Sequence, residues 1–467
     1  MEKLQPERVF YYFSKLMEIP RPSFHEKKVS DFLVKTGKEL NLETYQDESL
    51  NVILKRKASK GYENAPKVIL QGHMDMVASK TEDSNHDFLK DSIIPVIDGK
   101  YLTAKDTTLG ADNGIAVAMG LALLEDENYV GPQIELLVTT EEETSMAGAL
   151  NLADDVLEGE YLINIDSEEE GVLTVGSAGG ITIFVEEKIG QEEQKDGYEI
   201  KVSGLLGGHS GMDINDNRGN ALKVFASILD NLNSDITIGE FTSGSLDNII
   251  PSSGSVKVYG AKLEELEEAK KNTLDKFKDV KGELKIEINE ASGKSYSKEL
   301  SEKIIKMIAN VACGTNTMMK DGETVESSDN LALIKEEEDG FIKSEISLRS
   351  SDNDALEELS KKIRTVIEDL GINYRIDSIY PGWEYKEDSK LRPLAQKVYK
   401  EFEGKEFDTI VIHAGLECGA FYEKYPNLDI ISIGPNITGA HSPEEKVEIE
   451  SVQRVYAYLK QLLKEIK

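Results

Sequence analysis

Short apolar runs alternate with a helical pattern in the first third of the chain. Residues 68–70, 134–138 and 161–165 are apolar runs that end in polar clusters, which predicts buried strands. Residues 113–124 form an apolar stretch long enough for a helix. The alternation predicts an α/β fold with a mixed, mostly parallel sheet and helices on both faces. In such sheets, function lies at the strand ends.

The pattern changes near residue 198. Residues 198–202 and 255–259 alternate more strictly, as half-buried strands do, and are interleaved with charged amphipathic helices. The clearest of these helices is 355–370, where apolar residues recur at helical spacing. After a break at 380–383, the first pattern resumes in three elements, at 391–402, 409–412 and 452–466. We therefore expect an α+β domain inserted into the α/β domain.

The composition is that of a folded, strongly acidic protein. The 467 residues include 54 Lys and Arg against 87 Asp and Glu, a formal net charge of −33. This charge repels nucleic acid and anionic membrane surfaces, so neither is an expected partner. Hydrophobic residues make up 39 %, which is enough for a sizeable core. We assign the charged run at 262–282 to a solvated helix face.

Targeting and cysteine patterns favour a cytoplasmic protein. The N-terminal residues lack the basic start and apolar run of a secretory signal, and the apolar stretch 114–124 is too short to span a bilayer. Cys313 and Cys418 lie far apart, which supports neither a disulfide framework nor a cysteine zinc site. A metal would therefore have to be held by histidines and carboxylates.

Histidines and carboxylates follow three of the predicted strands. His73 comes directly after the first strand, and Asp75 can accept the second imidazole N–H and fix the tautomer of the ring. The glutamates 141–143 end the second strand, and Asp166 follows the third. Three adjacent carboxylates repel one another unless a cation or water screens them. This strand end is therefore a candidate metal site.

Two further residues lie outside the strands. Asp112 opens the predicted helix and could equally be its N-cap, while His441 lies in a loop before the last helix. Asp166 could likewise belong to a polar turn. Each residue alone has such a structural explanation, but two histidines with several carboxylates at strand ends favour a binuclear metal site. In such a site one carboxylate can bridge the ions and another is left as a base.

The chain resembles the M20 metallopeptidase family, and within it the aminoacyl-histidine dipeptidase branch. The motifs that carry the likeness run in order through both predicted domains. They are Ile-Pro-Arg-Pro-Ser at 19–23, Gly-His-Met-Asp-Met-Val at 72–77, the polar loop 107–114, the glutamates 141–143 with Met-Ala-Gly-Ala at 146–149, Leu-Ile-Asn-Ile-Asp-Ser-Glu at 162–168, Gly-Gly-His-Ser-Gly at 207–211, His-Ala-Gly-Leu-Glu-Cys at 413–418 and Gly-Ala-His-Ser-Pro at 439–443.

The resemblance implies two divalent metal ions per subunit, with zinc foremost and manganese or cobalt as alternatives. The implied ligands are His73 and Asp166 for one ion, Glu143 and His441 for the other, and Asp112 for both. Asp75 would orient His73. Glu142 would be the general base that takes a proton from the metal-bridging water and delivers it to the leaving amine.

Three adjacent glutamates leave the register of base and ligand open. The family typically reads Thr-x-Asp-Glu-Glu followed by Gly before the Met, whereas Glu141 replaces that Asp here and Ser145 replaces that Gly. Alignment on the Met-Ala-Gly-Ala motif makes Glu142 the base and Glu143 the ligand. The family also commonly has a cis peptide after its bridging aspartate, which here would be the Asp112–Asn113 bond.

The likeness also assigns substrate contacts in the inserted domain. His209 would polarise the scissile carbonyl, from the same or the partner subunit, with Asn248 and Arg349 assisting. A donor aimed at the developing oxyanion and a guanidinium for the terminal carboxylate of the substrate suit this chemistry. His413 and Glu417 are expected near the C-terminal end of the substrate, although His413 could equally be a hydrogen-bonded structural histidine.

We therefore expect a dinuclear metallo-dipeptidase, a homodimer that hydrolyses unblocked dipeptides, including Xaa-His. The implied architecture is a catalytic domain of residues 1–184 and 382–467 with an inserted lid and dimerisation domain of residues 185–381. Two alternatives stay open: an N-acyl amino acid deacylase with the same metal cage, and a catalytically silent regulatory or scaffolding paralogue. The 413–418 motif favours the dipeptidase over the deacylase, and the intact Glu142 argues against the silent paralogue.

Overall fold

A computed structural model describes residue 1 and residues 3–467, without the side chains of 191–194. Its helices are α1 (Glu7–Met17), α2 (Lys27–Glu39), α3 (Ala111–Glu125), α4 (Ala147–Asn151), α5 (Ala221–Leu229), α6 (Leu263–Lys276), α7 (Lys298–Asn310), α8 (Asn353–Asp369), α9 (Leu391–Glu403), α10 (Cys418–Lys424) and α11 (Ile449–Glu465).

Its strands in the first half of the chain are β1 (Glu43–Gln46), β2 (Val52–Arg56), β3 (Val68–His73), β4 (Pro95–Asp98), β5 (Tyr101–Ala104), β6 (Ile134–Thr139), β7 (Tyr161–Asn164), β8 (Val172–Ser177), β9 (Gly179–Lys188), β10 (Gln191–Leu205) and β11 (Gly208–His209). The later strands are β12 (Thr237–Ser243), β13 (Ile249–Ile250), β14 (Gly254–Tyr259), β15 (Gly282–Tyr296), β16 (Gly314–Met318), β17 (Val325–Glu336), β18 (Phe341–Ser350), β19 (Tyr374–Tyr380), β20 (Asp408–Ile412), β21 (Asp429–Ser432), β22 (Ile437–Thr438) and β23 (Lys446–Glu448).

The chain folds into two compact units. Unit 1 comprises Met1–Ser177, Trp383–Val411 and Leu416–Lys467, and unit 2 comprises Ala178–Gly382 and Ile412–Gly415. Within the described residues, every helix is too short or too polar to cross a bilayer.

Unit 1 is built on an eight-stranded mixed sheet with the order β1-β2-β6-β3-β7-β21-β8-β20. The pairs β6–β3, β3–β7 and β7–β21 at its centre are parallel, while β1–β2, β2–β6 and β21–β8 are antiparallel. The apolar runs predicted as buried strands form β3, β6 and β7. The predicted mixed α/β class is therefore confirmed, with the parallel pairing concentrated at the centre of the sheet.

Both faces of this sheet are buried. Val68 and Leu70 pack into the core that also contains the buried residues of α1, α3 and α11. Ile69, between them, packs into a second core with Phe421 of α10 and Trp383. Side chains alternate between the two faces of a strand, so a strand that is covered on both sides needs apolar residues at every position. This explains the continuous apolar runs in the sequence.

Unit 2 is built on an antiparallel sheet with the order β15-β10-β14-β12-β17-β18-β9-β19, with β16 added on β17. Buried residues of α5, α6, α7 and α8 pack against it in one core. Helix α8 confirms the helix predicted from the spacing at 355–370. Helix α6 lies in the charged run 262–282 and buries only Leu266, Ala269 and Thr273, so most of its surface is solvated, as predicted.

The loop after β21 packs directly on the segment that follows β7. A Cβ atom at Gly434 would lie 1.6 Å from the carbonyl oxygen of Ser167, the residue after Asp166. The two backbones are therefore too close for any side chain at position 434. Because the obstacle is backbone rather than a flexible side chain, a larger residue would have to push the two loops apart.

We expect Gly434→Ala to lower the denaturation temperature by more than about 5 °C, because one of the two loops must move. Gly190→Ala is the matched control, since nothing lies within 4 Å of a Cβ atom at that position. Differential scanning calorimetry of both variants checks the prediction. An unchanged temperature for Gly434→Ala would contradict it.

Candidate metal centre

The carboxyl ends of three parallel strands meet at one edge of the unit 1 sheet. His73, the last residue of β3, is the register partner of Thr139, the last residue of β6. Asp166 follows the end of β7 by two residues. After β6 the chain turns sharply, and the carbonyl oxygen of Glu141 accepts the N–H of Met146 at 2.8 Å. This turn begins the segment that carries Glu142 and Glu143.

Two groups of candidate ligands share one aspartate. His73 Nε2 lies 3.1 Å from Asp112 Oδ1 and 3.6 Å from Asp166 Oδ1. His441 Nε2 lies 3.2 Å from Asp112 Oδ2 and 2.9 Å from Glu143 Oε2. Within each group, the candidate ligand atoms lie within 4.8 Å of one another. Asp112 thus presents one carboxylate oxygen to each histidine, which is the arrangement of a bridging ligand.

The local backbone places Asp112 between the two histidines. Its dihedral angles, φ −76° and ψ 107°, are not helical although it lies in the first turn of α3. The Asp112–Asn113 peptide is cis, as the family resemblance implied. The side chain of Asn113 bonds across the strand ends, since its Nδ2 donates to the carbonyl oxygen of Ile165 at 2.7 Å.

The two groups differ in solvent exposure. The His73 side chain is 1 % exposed, whereas that of His441 is 55 % exposed. Burial opposes ionisation of Asp112, but hydrogen bonds to His441 and His73 outweigh it and lower the pKa of Asp112. The hydrogen bonds that His441 makes to the carboxylates of Asp112 and Glu143 raise the pKa of His441 to about 11. Because the His441 side chain is 55 % exposed and that of His73 is 1 % exposed, solvent reaches the centre from the group around His441.

Asp75 connects several parts of the centre. Its Oδ1 lies 3.3 Å from His73 Nδ1 and accepts the N–H of Glu142 at 3.1 Å. Its Oδ2 accepts the N–H of Glu143 at 3.3 Å and the hydroxyl of Ser23 at 2.8 Å. The same buried carboxylate thus orients the histidine on β3 and fixes the backbone of both glutamates after β6.

Glu142 is a nearly buried carboxylate outside the two ligand groups found in the described residues. Its Oε2 lies 3.8 Å from His73 Nε2, and its side chain is 13 % exposed. Burial, reinforced by the charges of Asp166 and Glu417, holds the pKa of Glu142 well above its usual value. The neighbouring Glu141 instead accepts a hydrogen bond from Ser145 Oγ at 2.9 Å.

The residues present fit divalent cations. Burial raises the pKa of both Glu143 and Asp166, so their charged forms need compensation that the protein supplies only in part. The buried Glu143 Oε1 has no hydrogen-bond partner among the described residues. Imidazole nitrogens combined with carboxylate oxygens suit Zn²⁺, Mn²⁺ or Co²⁺. Cations at this strand edge would compensate the negative charge of Glu143 and Asp166 and would give Glu143 Oε1 a partner.

A separate cluster in unit 2 contains most of the residues predicted to contact substrate. His209 lies on β11, which pairs with β13, and the N–H of Ser210 donates to the carbonyl oxygen of Asn248 at 2.8 Å. A Cβ atom at Gly211 would lie 2.3 Å from the carbonyl oxygen of His413 and 3.1 Å from His209 Cε1. The structure therefore brings His209, Asn248 and His413 together.

Backbone amides fix the tautomer of His209. Its Nδ1 accepts the N–H groups of Gly211 and Met212, both at 3.1 Å. An acceptor nitrogen carries no hydrogen, so the ring proton is on Nε2, which can then act as a donor. The loop is braced by Asp213, whose Oδ2 accepts the His209 N–H at 2.8 Å and whose Oδ1 accepts from Arg218 at 2.7 Å.

His413 and Arg349 lie next to the same strand pair. His413 Nε2 is 2.7 Å from Ser328 Oγ, and Ser328 is the register partner of Arg349. Arg349 donates to the hydroxyl of Tyr380 at 2.8 Å. Burial, with the positive charge of Arg349, lowers the pKa of His413 to about 4. His413 is therefore a neutral imidazole at neutral pH.

Glu417 lies in unit 1 and is completely buried. Its Oε2 accepts from Gln71 Nε2 at 2.6 Å and from Thr139 Oγ1 at 2.7 Å, which ties together β3 and β6 just before His73. Burial raises the pKa of Glu417 to about 8. These contacts support the strand ends beside the metal centre, and a contact of Glu417 with substrate stays a prediction.

The sequence did not single out Glu445, which is also buried. Its carboxylate accepts the N–H groups of four consecutive residues at the start of α3, at 2.8 Å from Leu109, 2.9 Å from Gly110, 2.8 Å from Ala111 and 3.2 Å from Asp112. Nothing in the local sequence signals this role, because a buried glutamate cannot be told from an exposed one in a polar loop.

The chain is similar to peptidases over most of its length. Residues 69–465 match peptidase family M20/M25/M40. The chain is 34 % identical to the cytosol non-specific dipeptidase of Escherichia coli over an alignment that covers 100 % of this chain and 99 % of that protein.

Solved structures show the same fold. The aminoacylhistidine dipeptidase of Vibrio alginolyticus superposes with a TM-score of 0.88 and 34 % identity, covering 100 % of this chain and 98 % of that one. Human carnosine dipeptidase 1 shares the fold alone, with a TM-score of 0.55 and 12 % identity over 98 % of this chain and 95 % of that one. Because the family match covers residues 69–465, this chain belongs to peptidase family M20/M25/M40.

Proposed function

We propose that this protein is a dinuclear metal-dependent dipeptidase that hydrolyses unblocked dipeptides, including Xaa-His. The observation that carries the proposal is the position of Asp112, which offers one oxygen to His73 and the other to His441. The likeness to the E. coli dipeptidase and the Vibrio aminoacylhistidine dipeptidase supports the substrate class. The proposal includes residues 1–184 and 382–467 as catalytic domain, 185–381 as lid and dimerisation domain, a homodimer, and a cytoplasmic location.

The proposed metal ligands are His73, Asp112 and Asp166 for one ion and Asp112, Glu143 and His441 for the other. Two such ions, zinc foremost, would polarise the scissile carbonyl and lower the pKa of the attacking water. Glu142 remains as the unligated carboxylate beside them. Its raised pKa suits a group that accepts the proton of the attacking water at Oε2 and then delivers it to the departing amine.

The unit 2 cluster supplies the proposed substrate contacts. His209 donates from Nε2 to the oxygen that becomes negative in the transition state, a role that its fixed tautomer supports. The Arg349 guanidinium binds the C-terminal carboxylate of the substrate, for which a planar fork of N–H donors is suited. Asn248 and the neutral His413 contribute polar contacts beside them. These residues act from the same subunit or from its partner.

Glu142→Gln should lower kcat by about two to four orders of magnitude, because the amide cannot accept the proton of the attacking water. Metal content should stay at the wild-type value, since Glu142 is not a proposed ligand. Steady-state kinetics with Ala-His and metal analysis by mass spectrometry check both expectations.

Glu141→Gln is the matched control and tests the register of the three glutamates. Its carboxylate bonds to Ser145 rather than to the centre, so we expect kcat within about threefold of wild type. If Glu141→Gln were the inactive variant, or if Glu142→Gln kept full activity, the assignment of the general base would be wrong.

Metal removal should abolish activity, and adding Zn²⁺ or Mn²⁺ should restore it. We expect the restored enzyme to cleave Ala-His and Leu-Gly and to leave an N-acetylated amino acid intact, measured by release of free amino acids. Cleavage of the acetylated compound alone would move the protein to the deacylases. Absence of any cleavage by metal-loaded protein would favour the silent paralogue.

Acidification should destabilise the wild type more than His413→Gln. The folded-state pKa of His413 is lowered to about 4, so folding favours the neutral ring, and this contribution is lost as pH falls from about 6.5 towards 4. The resulting difference between the wild type and His413→Gln in the free energy of unfolding can reach about 3 kcal/mol. Calorimetry at several pH values between 7 and 4 measures it, with exposed His25→Gln as the control for loss of a histidine. Parallel curves for the wild type and His413→Gln would contradict the prediction.

A further inference from the structure

A fully buried arginine lies behind the candidate metal centre. Arg21 is 2 % exposed. Its Nη1 donates to the carbonyl oxygens of Met74 at 2.9 Å and Asp75 at 3.0 Å, and its Nη2 donates to the carbonyl oxygen of Gly110 at 2.5 Å. One guanidinium therefore joins two backbone segments. The first follows His73, and the second precedes Asp112.

Glu445 holds the second of these segments from its other side. Arg21 bonds to the carbonyl of Gly110, and the Glu445 carboxylate accepts the N–H of Gly110 and of the residues on either side of it. The same carboxylate also accepts the N–H of Asp112. Two side chains of opposite charge thus fix the backbone before Asp112. Arg21 bonds to one of its carbonyl oxygens, and Glu445 bonds to its N–H groups.

The glycines around Arg21 make room for this arrangement. A Cβ atom at Gly110 would lie 2.5 Å from Arg21 Nη2, and a Cβ atom at Gly114 would lie 2.6 Å from the same atom. Gly110 also has a φ of +70°, a left-handed conformation that glycine adopts without strain. The polar loop in the sequence therefore has glycines where the guanidinium approaches the backbone.

Arg21 forms no ion pair with a carboxylate in the described part of the chain, yet negative charges surround it. Burial lowers the pKa of Arg21, and the negative charges of Glu445, Asp75, Asp112 and Glu143 oppose this shift. The guanidinium remains charged at any physiological pH, so it gives the carboxylates of the centre a permanent positive neighbour on the buried side. The hydrogen bonds of its Nη1 and Nη2 go to backbone carbonyls, so the carboxylate oxygens of the proposed ligands stay available.

We infer that Arg21 and Glu445 are a pair of positioning residues that hold the segments of His73 and Asp112 in ligand geometry before any metal binds. The inference rests on the proposed ligand set. It predicts that loss of either side chain weakens metal binding, because ordering His73 and Asp112 then reduces the free energy gained when the metal binds.

Arg56 offers a matched control within unit 1. It also donates to two backbone carbonyls, those of Leu123 at 3.0 Å and Leu124 at 2.8 Å, at the end of α3 remote from Asp112. Arg21→Met and Arg56→Met therefore both remove an arginine that caps carbonyl groups. Only the first should affect metal binding if Arg21 positions ligands, whereas both should lower the denaturation temperature.

The experiment is a competition titration of Zn²⁺ and Mn²⁺ between a chromogenic chelator and the metal-stripped full-length protein. We expect Arg21→Met and Glu445→Gln to weaken metal binding at least about tenfold, with Arg21→Lys intermediate and Arg56→Met within twofold of wild type. At saturating metal, KM for Ala-His should stay within twofold of wild type for all four variants, because none of these residues is a proposed substrate contact.

The outcomes separate this inference from the proposed function. If wild-type protein binds metal and both Arg21→Met and Glu445→Gln bind it equally well, the positioning role is wrong and the metal centre stands. If Arg56→Met weakens binding as much as Arg21→Met, the effect is general destabilisation and the inference also falls. If Arg21→Met does not fold, Glu445→Gln decides. Wild-type protein that binds no metal would overturn both proposals.

Discussion

The centre of unit 1 depends on one carboxylate shared between two histidines. Asp112 faces His73 with one oxygen and His441 with the other, although His441 is 329 residues away in the sequence. To reach both rings, Asp112 has to leave the helical conformation in the first turn of α3. The parallel strands, the loop before α3 and the loop that carries His441 all converge on this position.

The negative charge of the buried acidic groups explains why so many hydrogen bonds surround the Asp112 carboxylate. Several buried acidic groups lie together at the strand ends, and burial raises the pKa of Glu142, Glu143 and Asp166. Without compensation such a cluster would destabilise the fold. The backbone N–H groups that donate to Asp75 and the buried guanidinium of Arg21 offset part of that charge, and the proposed divalent cations would offset more. The proposed base, Glu142, is the member for which a raised pKa is useful.

Unit 2 positions its polar residues with backbone amides, one ion pair and the charge of Arg349. Two amides fix the tautomer of His209, and the Asp213–Arg218 pair braces the loop. A backbone donor has few alternative positions, so a ring held in this way loses little entropy when it donates to a ligand. His413 is kept neutral by burial and by Arg349. The cluster therefore offers neutral and cationic donors, which suits the proposed contacts with a carbonyl and a carboxylate.

The α/β class, the buried strands β3, β6 and β7, helix α8 and the family were predictable from the sequence, because they follow from local periodicity and from motifs that stay contiguous. It also indicated which histidines and carboxylates to examine. The fold was needed to show that Asp112 faces both histidines, that Glu417 is buried beneath the strand ends, and that Arg21 and Glu445 hold the same loop from opposite sides. Those facts depend on the packing of segments hundreds of residues apart, and the polarity of a residue does not reveal whether it is buried against a backbone or open to solvent.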